Sequence, residues 1–216
     1  MKKFYFISGL GSTKESIQDF EKEMNQFGYE VQFIDIPGQY SNRDVKIQSE
    51  QHLIEWLSGE IPVGSNVVAF SMGADIAIRY HSYLQPRNLI ILDGGIIDYD
   101  LMNITLEEDI AMTKSYIKEN QLDMNAETIA KLTSLLREQY IDIFHAGLNT
   151  ETLLLLSDHP DFVYQYKMNK IEANHDSMNH IKIQFIKDTS HEIYVEKPKE
   201  VVKDIMDWLE RMMPLF

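Results

Sequence analysis

Val67-Val68-Ala69-Phe70-Ser71-Met72-Gly73 carries an apolar run straight into the first residues of a helical pattern, with no turn residues between. A buried strand that passes directly into a helix leaves one residue to make the whole turn. A serine there stands at the strand's carboxyl end in strained dihedrals, the setting of a nucleophile elbow. Strand and helix can approach so closely only if the positions two before and two after the serine are small. Ala69 and Gly73 meet that requirement. A lone serine between strand and helix is more often an N-cap than a nucleophile, so the reading of Ser71 rests on what surrounds it.

Outward from this stretch the chain alternates. Phe4 to Ile7 is a short apolar run closed by Ser8-Gly9-Leu10-Gly11, as suits a strand buried on both faces. Lys14 to Phe27 places Ile17, Phe20, Met24 and Phe27 at helical spacing, and Gly28 is placed to end that helix. Tyr29 to Ile36 reads as the next strand and ends in the turn Pro37-Gly38, before an amphipathic helix over Val45 to Leu57. Asn66 to Phe70 (strand), Met72 to Tyr83 (helix) and Asn88 to Leu92 (strand) follow. The rhythm breaks after Asp93-Gly94-Gly95, where Leu106 to Glu119 and Ala126 to Phe144 give two helical patterns with no strand between. It resumes with a strand at Thr152 to Leu156, a helix within Phe162 to Ala173, a strand at Ile181 to Ile186 and a last helix over Lys199 to Met212. The expected architecture is α/β: a mostly parallel sheet of about six strands covered by helices on both faces. Residues 1–97 and 151–216 would form its core. Residues 98–150 would be a helical insertion that lies as a lid over the carboxyl ends of the strands, where open α/β sheets bind ligands.

The balance of 34 acidic against 20 basic residues gives a formal charge of −14, which repels nucleic-acid phosphates and anionic lipid surfaces. Neither nucleic acid nor a membrane is expected as a partner. With no cysteine, thiol nucleophiles, disulfides and thiolate metal sites are excluded. No apolar run approaches the roughly 18 residues that span a bilayer, and the apolar start breaks at Ser8-Gly9 before a secretory core forms. A cytoplasmic location is the expectation.

The chemistry-bearing residues gather on one edge. Ser190-His191 follows the Ile181 to Ile186 strand and precedes the last helix, so its imidazole emerges at the same carboxyl edge as Ser71 and suits a general base. The backbone NH of Leu10, after the first strand, and that of Met72 can serve as paired donors to a developing oxyanion. A carboxylate must orient the imidazole. Asp161 is preferred because it lies several positions into the loop after Thr152 to Leu156 and can reach sideways past its strand end. Asp158 of the same loop is the reserve. Asp93 is the third candidate, since Gly94-Gly95 beside it suits a turn carboxylate with a structural role. His175 and His180 lack partners at metal-ligand spacing, so no metal is expected. Gly9-Leu10-Gly11 followed by Asp35 is a partial dinucleotide fingerprint, but Lys14 stands where close helix packing wants Gly or Ala. No cofactor is expected either.

Together these residues resemble the α/β-hydrolase superfamily, in its branch of small single-domain enzymes with a helical cap, over nearly the whole chain. Ser8-Gly9 stands where that family usually has His-Gly. Asp35-Ile36-Pro37-Gly38 matches its Asp-x-Pro-Gly turn, Ile91-Leu92-Asp93-Gly94 its next strand end, and Glu196 and Pro198 its spacing after the histidine. The chain departs from the family at Ala69 for Gly, Ser190 for Gly and Ser8 for His, and the family's first antiparallel strands are missing. The resemblance implies a serine hydrolase acting on a small-molecule carboxylic ester or thioester through an acyl-enzyme, with Ser71, Asp161 and His191 in the family's order. Acyl transfer or carbon–carbon bond hydrolysis on the same residues is the nearest alternative. A non-catalytic small-ligand-binding protein is the alternative outside enzymes.

Overall fold

A computed structural model describes residues 2–177 and 180–212. Six strands form one sheet: β1 (Lys2–Ile7), β2 (Tyr29–Ile34), β3 (Asn66–Phe70), β4 (Asn88–Leu92), β5 (Thr152–Ser157) and β6 (Ile181–Ile186). All pairings are parallel, in the order β2-β1-β3-β4-β5-β6. The α/β sheet expected from the apolar runs is therefore present, and every one of its pairings is parallel.

The side chains explain why these runs are continuous rather than alternating. Val67 and Ala69 of β3, Leu89 and Ile91 of β4, and Leu154 and Leu156 of β5 enter the core on one face. Val68 and Phe70, Ile90 and Leu92, and Leu153 and Leu155 enter the core on the other. With both faces covered, successive residues of a central strand are all apolar.

The helices divide between the faces. α1 (Gln18–Gln26) joins α9 (Pro198–Met212), and the short α8 (Ile193–Glu196) packs with them, so that Phe20, Met24, Tyr194, Val202, Ile205 and Trp208 cover one face. α2 (Glu50–Glu60), α3 (Met72–Arg79) and the short α4 (His81–Leu84) cover the other. Between β4 and β5 run α5 (Leu106–Glu119) and α6 (Ala126–Glu138), which pack on each other, while α7 (Asp161–Ala173) connects β5 to β6. α6 buries Ile129, Leu132 and Leu136 in the same core as Ile34 and Ile36, and Asn125 N donates to Gly38 O at 2.6 Å. The 98–150 segment is thus packed on the body.

Boundaries moved where local hydrogen bonds outcompeted apolar spacing. α2 begins at Glu50 rather than Val45, because the Ser49 hydroxyl accepts from His52 N and caps the helix there. α6 ends at Glu138 rather than Phe144, and Ile143 N instead donates to Gly95 O at 2.8 Å. The acidic start of α5 is a capping box: the Thr105 side chain accepts from Glu108 N, and the Glu108 carboxylate accepts from Thr105 N.

Strand order locates the working edge. The chain leaves β1 toward β2 on one side and then returns to place β3 on the other, so a crevice opens between the carboxyl ends of β1 and β3. Ile7 is in register with Ala69, which sets Ser8-Gly9 beside Phe70-Ser71.

Candidate active site

Ser71 has φ 51° and ψ −120°, a conformation non-glycine residues rarely adopt. Its neighbours show why it is tolerated. A Cβ on Gly73 would collide with the carbonyl oxygens of Ile7 and Ser8. One on Gly9 would stand 2.7 Å from the Phe70 ring and 2.9 Å from Ser71 Cβ. Absence of side chains at these positions lets three backbone segments meet around one hydroxyl.

Ser71 Oγ lies 2.9 Å from His191 Nε2, and His191 Nδ1 lies 2.7 Å from Asp93 Oδ2. An ionised carboxylate only accepts, so the proton on the resting imidazole sits on Nδ1, leaving the Nε2 lone pair to accept from the Ser71 hydroxyl. The Phe70 ring, 4.7 Å from the imidazole between centroids, packs against it. The loop before His191 is braced by Asp158, whose oxygens accept from Asp188 N and Thr189 N, and by Glu196, which accepts from Ser190 N.

The carboxylate on His191 is therefore Asp93, and the preference for Asp161 is corrected. Asp161 starts α7 and is exposed. Asp158, the reserve, faces the 188–189 backbone and His159 instead of His191. The reason is topological: the loop after β6 reaches back across the end of β5, so His191 meets the end of β4 rather than the loop that follows β5. Asp93 itself adopts φ 43°, a left-handed conformation that Asp tolerates better than most residues.

Asp93 is coordinated on all sides. Oδ1 accepts from Ser157 N at 2.7 Å and Lys167 Nζ at 2.6 Å; Oδ2 accepts from Ser157 Oγ at 3.0 Å and from His191. Burial alone would raise its pKa. The hydrogen bond from His191 and the nearby Lys167 ammonium outweigh it and hold the carboxyl below its ordinary value. Lys167 and Ser157 were not among the sequence candidates. The one available signal was an unusual lysine on the inward side of an otherwise weakly patterned helix.

The loop expected to donate to an oxyanion is also held by a residue that sequence reading missed. Gln39 is fully buried. Its Nε2 donates to Ser8 Oγ at 2.9 Å and Gly9 O at 3.1 Å, and its Oε1 accepts from Gly11 N at 3.1 Å. Ser8 also accepts from Ile36 N. Leu10 lies within this braced loop. Met72 supplies the first amide of α3, one of the four that a helix leaves without intrahelical partners.

A cavity of about 260 Å³ opens on Ser71 and His191, walled by Tyr99, Ile104 and Arg137 from the 98–150 segment. Arg137 donates to Ile104 O at 2.8 Å and Asp109 at 3.0 Å, tying α6 to the start of α5. Asp75, one turn into α3, also faces the cavity and accepts from Tyr99 OH at 2.8 Å. Burial raises its pKa to about 7 despite hydrogen bonds from Tyr99 and Gly95 N. Larger hollows lie at the amino ends of the strands (about 710 Å³), beside β2 (about 680 Å³) and within the 98–150 segment between Leu106 and Tyr140 (about 360 Å³), and none of these three contains the Ser71–His191 pair. Among the described residues no group of His, Asp and Glu is arranged to hold a metal ion, and no helix is long and apolar enough to cross a membrane.

No family model and no curated protein matches the chain by sequence. Solved structures do match in shape. A carboxylesterase of the thaumarchaeon Nitrososphaera gargenis superposes with a TM-score of 0.70 at 15% identity, covering 97% of this chain and 90% of that one. MenH from S. aureus gives 0.69 at 18% identity over 97% and 94%, and a bromoperoxidase from Bacillus anthracis 0.65 at 16% over 97% and 92%. With the parallel order β2-β1-β3-β4-β5-β6 and the turn at Ser71, these likenesses identify the chain as a protein of the α/β-hydrolase fold.

Proposed function

We propose that this protein is a serine hydrolase that cleaves a small carboxylic ester or thioester through an acyl-enzyme on Ser71. The observation that carries the reading is the unbroken chain Ser71 Oγ to His191 Nε2 to Asp93 at 2.9 and 2.7 Å, at the sheet's carboxyl edge.

Ser71 Oγ attacks the acyl carbon while His191 Nε2 takes its proton. Asp93 keeps the other imidazole proton on Nδ1 and stabilises the imidazolium. The amides of Leu10 and Met72 donate to the developing oxyanion, a type of contact worth roughly 3 kcal/mol per donor in comparable sites. His191 then protonates the leaving alcohol or thiol. In the second half, His191 draws a proton from water as it attacks the acyl group, and the collapse of that intermediate returns the proton to Ser71. The 98–150 segment acts as the lid, and the cavity of about 260 Å³ favours a small acyl group.

Mass spectrometry of the intact protein after exposure to a fluorophosphonate tests this directly. One adduct is expected, on Ser71, absent from Ser71→Ala and reduced by orders of magnitude in His191→Ala. Folded wild type that stays unlabelled would instead support a small-ligand-binding protein.

A further inference from the structure

Lys167 is fully buried, in a chain whose other lysines lie at least partly at the surface. Its three ammonium protons meet three acceptors: Asp93 Oδ1 at 2.6 Å, Ser157 Oγ at 2.7 Å and Ser157 O at 3.1 Å. Each of these acceptors sits at the carboxyl end of β4 or β5. A buried ammonium is costly and survives only where such partners are complete. Its hydrogen-bonding capacity is filled, so it has no lone pair or free proton to offer a substrate.

We propose that Lys167 is a positioning residue of the Ser71–His191–Asp93 site that acts through Asp93: it offsets the charge of the Asp93 carboxylate, which limits how readily His191 is protonated. This rests on the hydrolase reading for its consequence in catalysis, though not for the coupling itself. The charge count supplies the argument. With Lys167 cationic, Asp93 anionic and His191 neutral, the resting set carries no net charge, and a proton on His191 leaves an excess positive charge. Without Lys167 the resting set is an anion, and a proton on His191 restores neutrality. Loss of Lys167 therefore favours the protonated imidazole, which cannot act as a base. Other titratable and charged groups surround this set: Asp75 approaches His191 from α3, and Asp98, Tyr99, Asp109 and Arg137 of the 98–150 segment line the same cavity. Asp158 and His159, in the loop after β5, bond each other at 2.9 Å.

The test is the rate of fluorophosphonate labelling at Ser71 against pH in wild type, Lys167→Met and Lys167→Gln, the last retaining a donor without the charge. The acidic limb should move to higher pH by at least about one unit in both variants, a loss of about tenfold on that limb, with rates converging on wild type at high pH. A uniform loss at every pH, or a limb that does not move, would overturn the proposal. Nuclear magnetic resonance titration of the His191 ring in the same proteins reads the coupling without any reaction at Ser71. If wild type fails to label and the ring titration still shifts between variants, the hydrolase reading falls and the Lys167 coupling stands. Should neither single variant fold, Lys167→Met/Asp93→Asn leaves no unpaired buried charge and is expected to recover folding; a double variant as unstable as the singles would sink the ion pair as the reason for the lysine.

Discussion

Ser157, the last residue of β5, turns both its backbone NH and its hydroxyl onto Asp93, just beyond the end of the neighbouring strand β4, at 2.7 and 3.0 Å. Adjacent parallel strands thus share one carboxylate at their carboxyl ends, and His191 takes the remaining acceptor position. That arrangement distinguishes sharply among the acidic residues nearby.

Replacing Asp93 with Asn should lower the Ser71 labelling rate by about three to four orders of magnitude, because an amide can donate to Nδ1 and hold the imidazole in the wrong tautomer. Asp161→Asn, at an exposed helix start, should stay within about twofold of wild type, as surface changes usually do. Equal losses in the two variants would contradict the assignment of Asp93.

Gly73→Ala should destabilise the fold by about 3 kcal/mol, since its methyl group would meet the carbonyls of Ile7 and Ser8, and backbone atoms cannot rotate away as a side chain can. Chemical denaturation measures this. Gly59→Ala, with open space around the added carbon, is the control, and a comparable loss there would remove the steric explanation.

Gln39→Leu should cost about 2 kcal/mol, because it removes one hydrogen bond each from the buried Ser8 hydroxyl and Gly9 carbonyl and takes the side-chain acceptor from the Gly11 amide. It should also slow Ser71 labelling more than the stability loss explains, as Leu10 shifts with its loop. Full labelling by the folded variant would show that this bracing has no part in the reaction.

Asp75 gives a stability signature. Its pKa in the folded protein, raised to about 7, means that between about pH 4 and pH 7 the folded chain holds a proton that the unfolded chain has released. Its contribution is therefore greatest at low pH and is lost as pH rises through 7. Melting temperatures of wild type and Asp75→Asn should diverge across that window, with the variant gaining on wild type as pH increases. A difference that is constant with pH would show that Asp75 titrates normally.

Much of the fold is legible in the sequence. Asn66 to Phe70, Asn88 to Leu92 and Ile181 to Ile186 matched their strands residue for residue. The first two, like β5, are central strands covered on both faces, which forces a continuous apolar run. The edge strand β6 is less buried. The serine turn was legible for a related reason, because a strand that passes straight into a helix needs small residues on either side of the serine, and Ala69 and Gly73 are written into the chain; the close approach that Gly73 permits is to the end of β1. Helix ends were less so: Ser49 stopped α2 short of the apolar pattern, and the Ile143 to Gly95 hydrogen bond drew the chain out of α6.

What the sequence determined by itself was the alternation of strand and helix, the turn at Ser71 and the placing of His191 on the same sheet edge, since these depend on side-chain size and periodicity within short segments. What only the tertiary structure decided was the company these residues keep. Asp93 and His191 are 98 positions apart, and Lys167 and Asp93 are 74 apart. Their meeting follows from strand order and from a loop that crosses β5. No local pattern encodes that path; it is set by the packing of the whole sheet, and it made Asp93 rather than Asp161 the carboxylate on the imidazole.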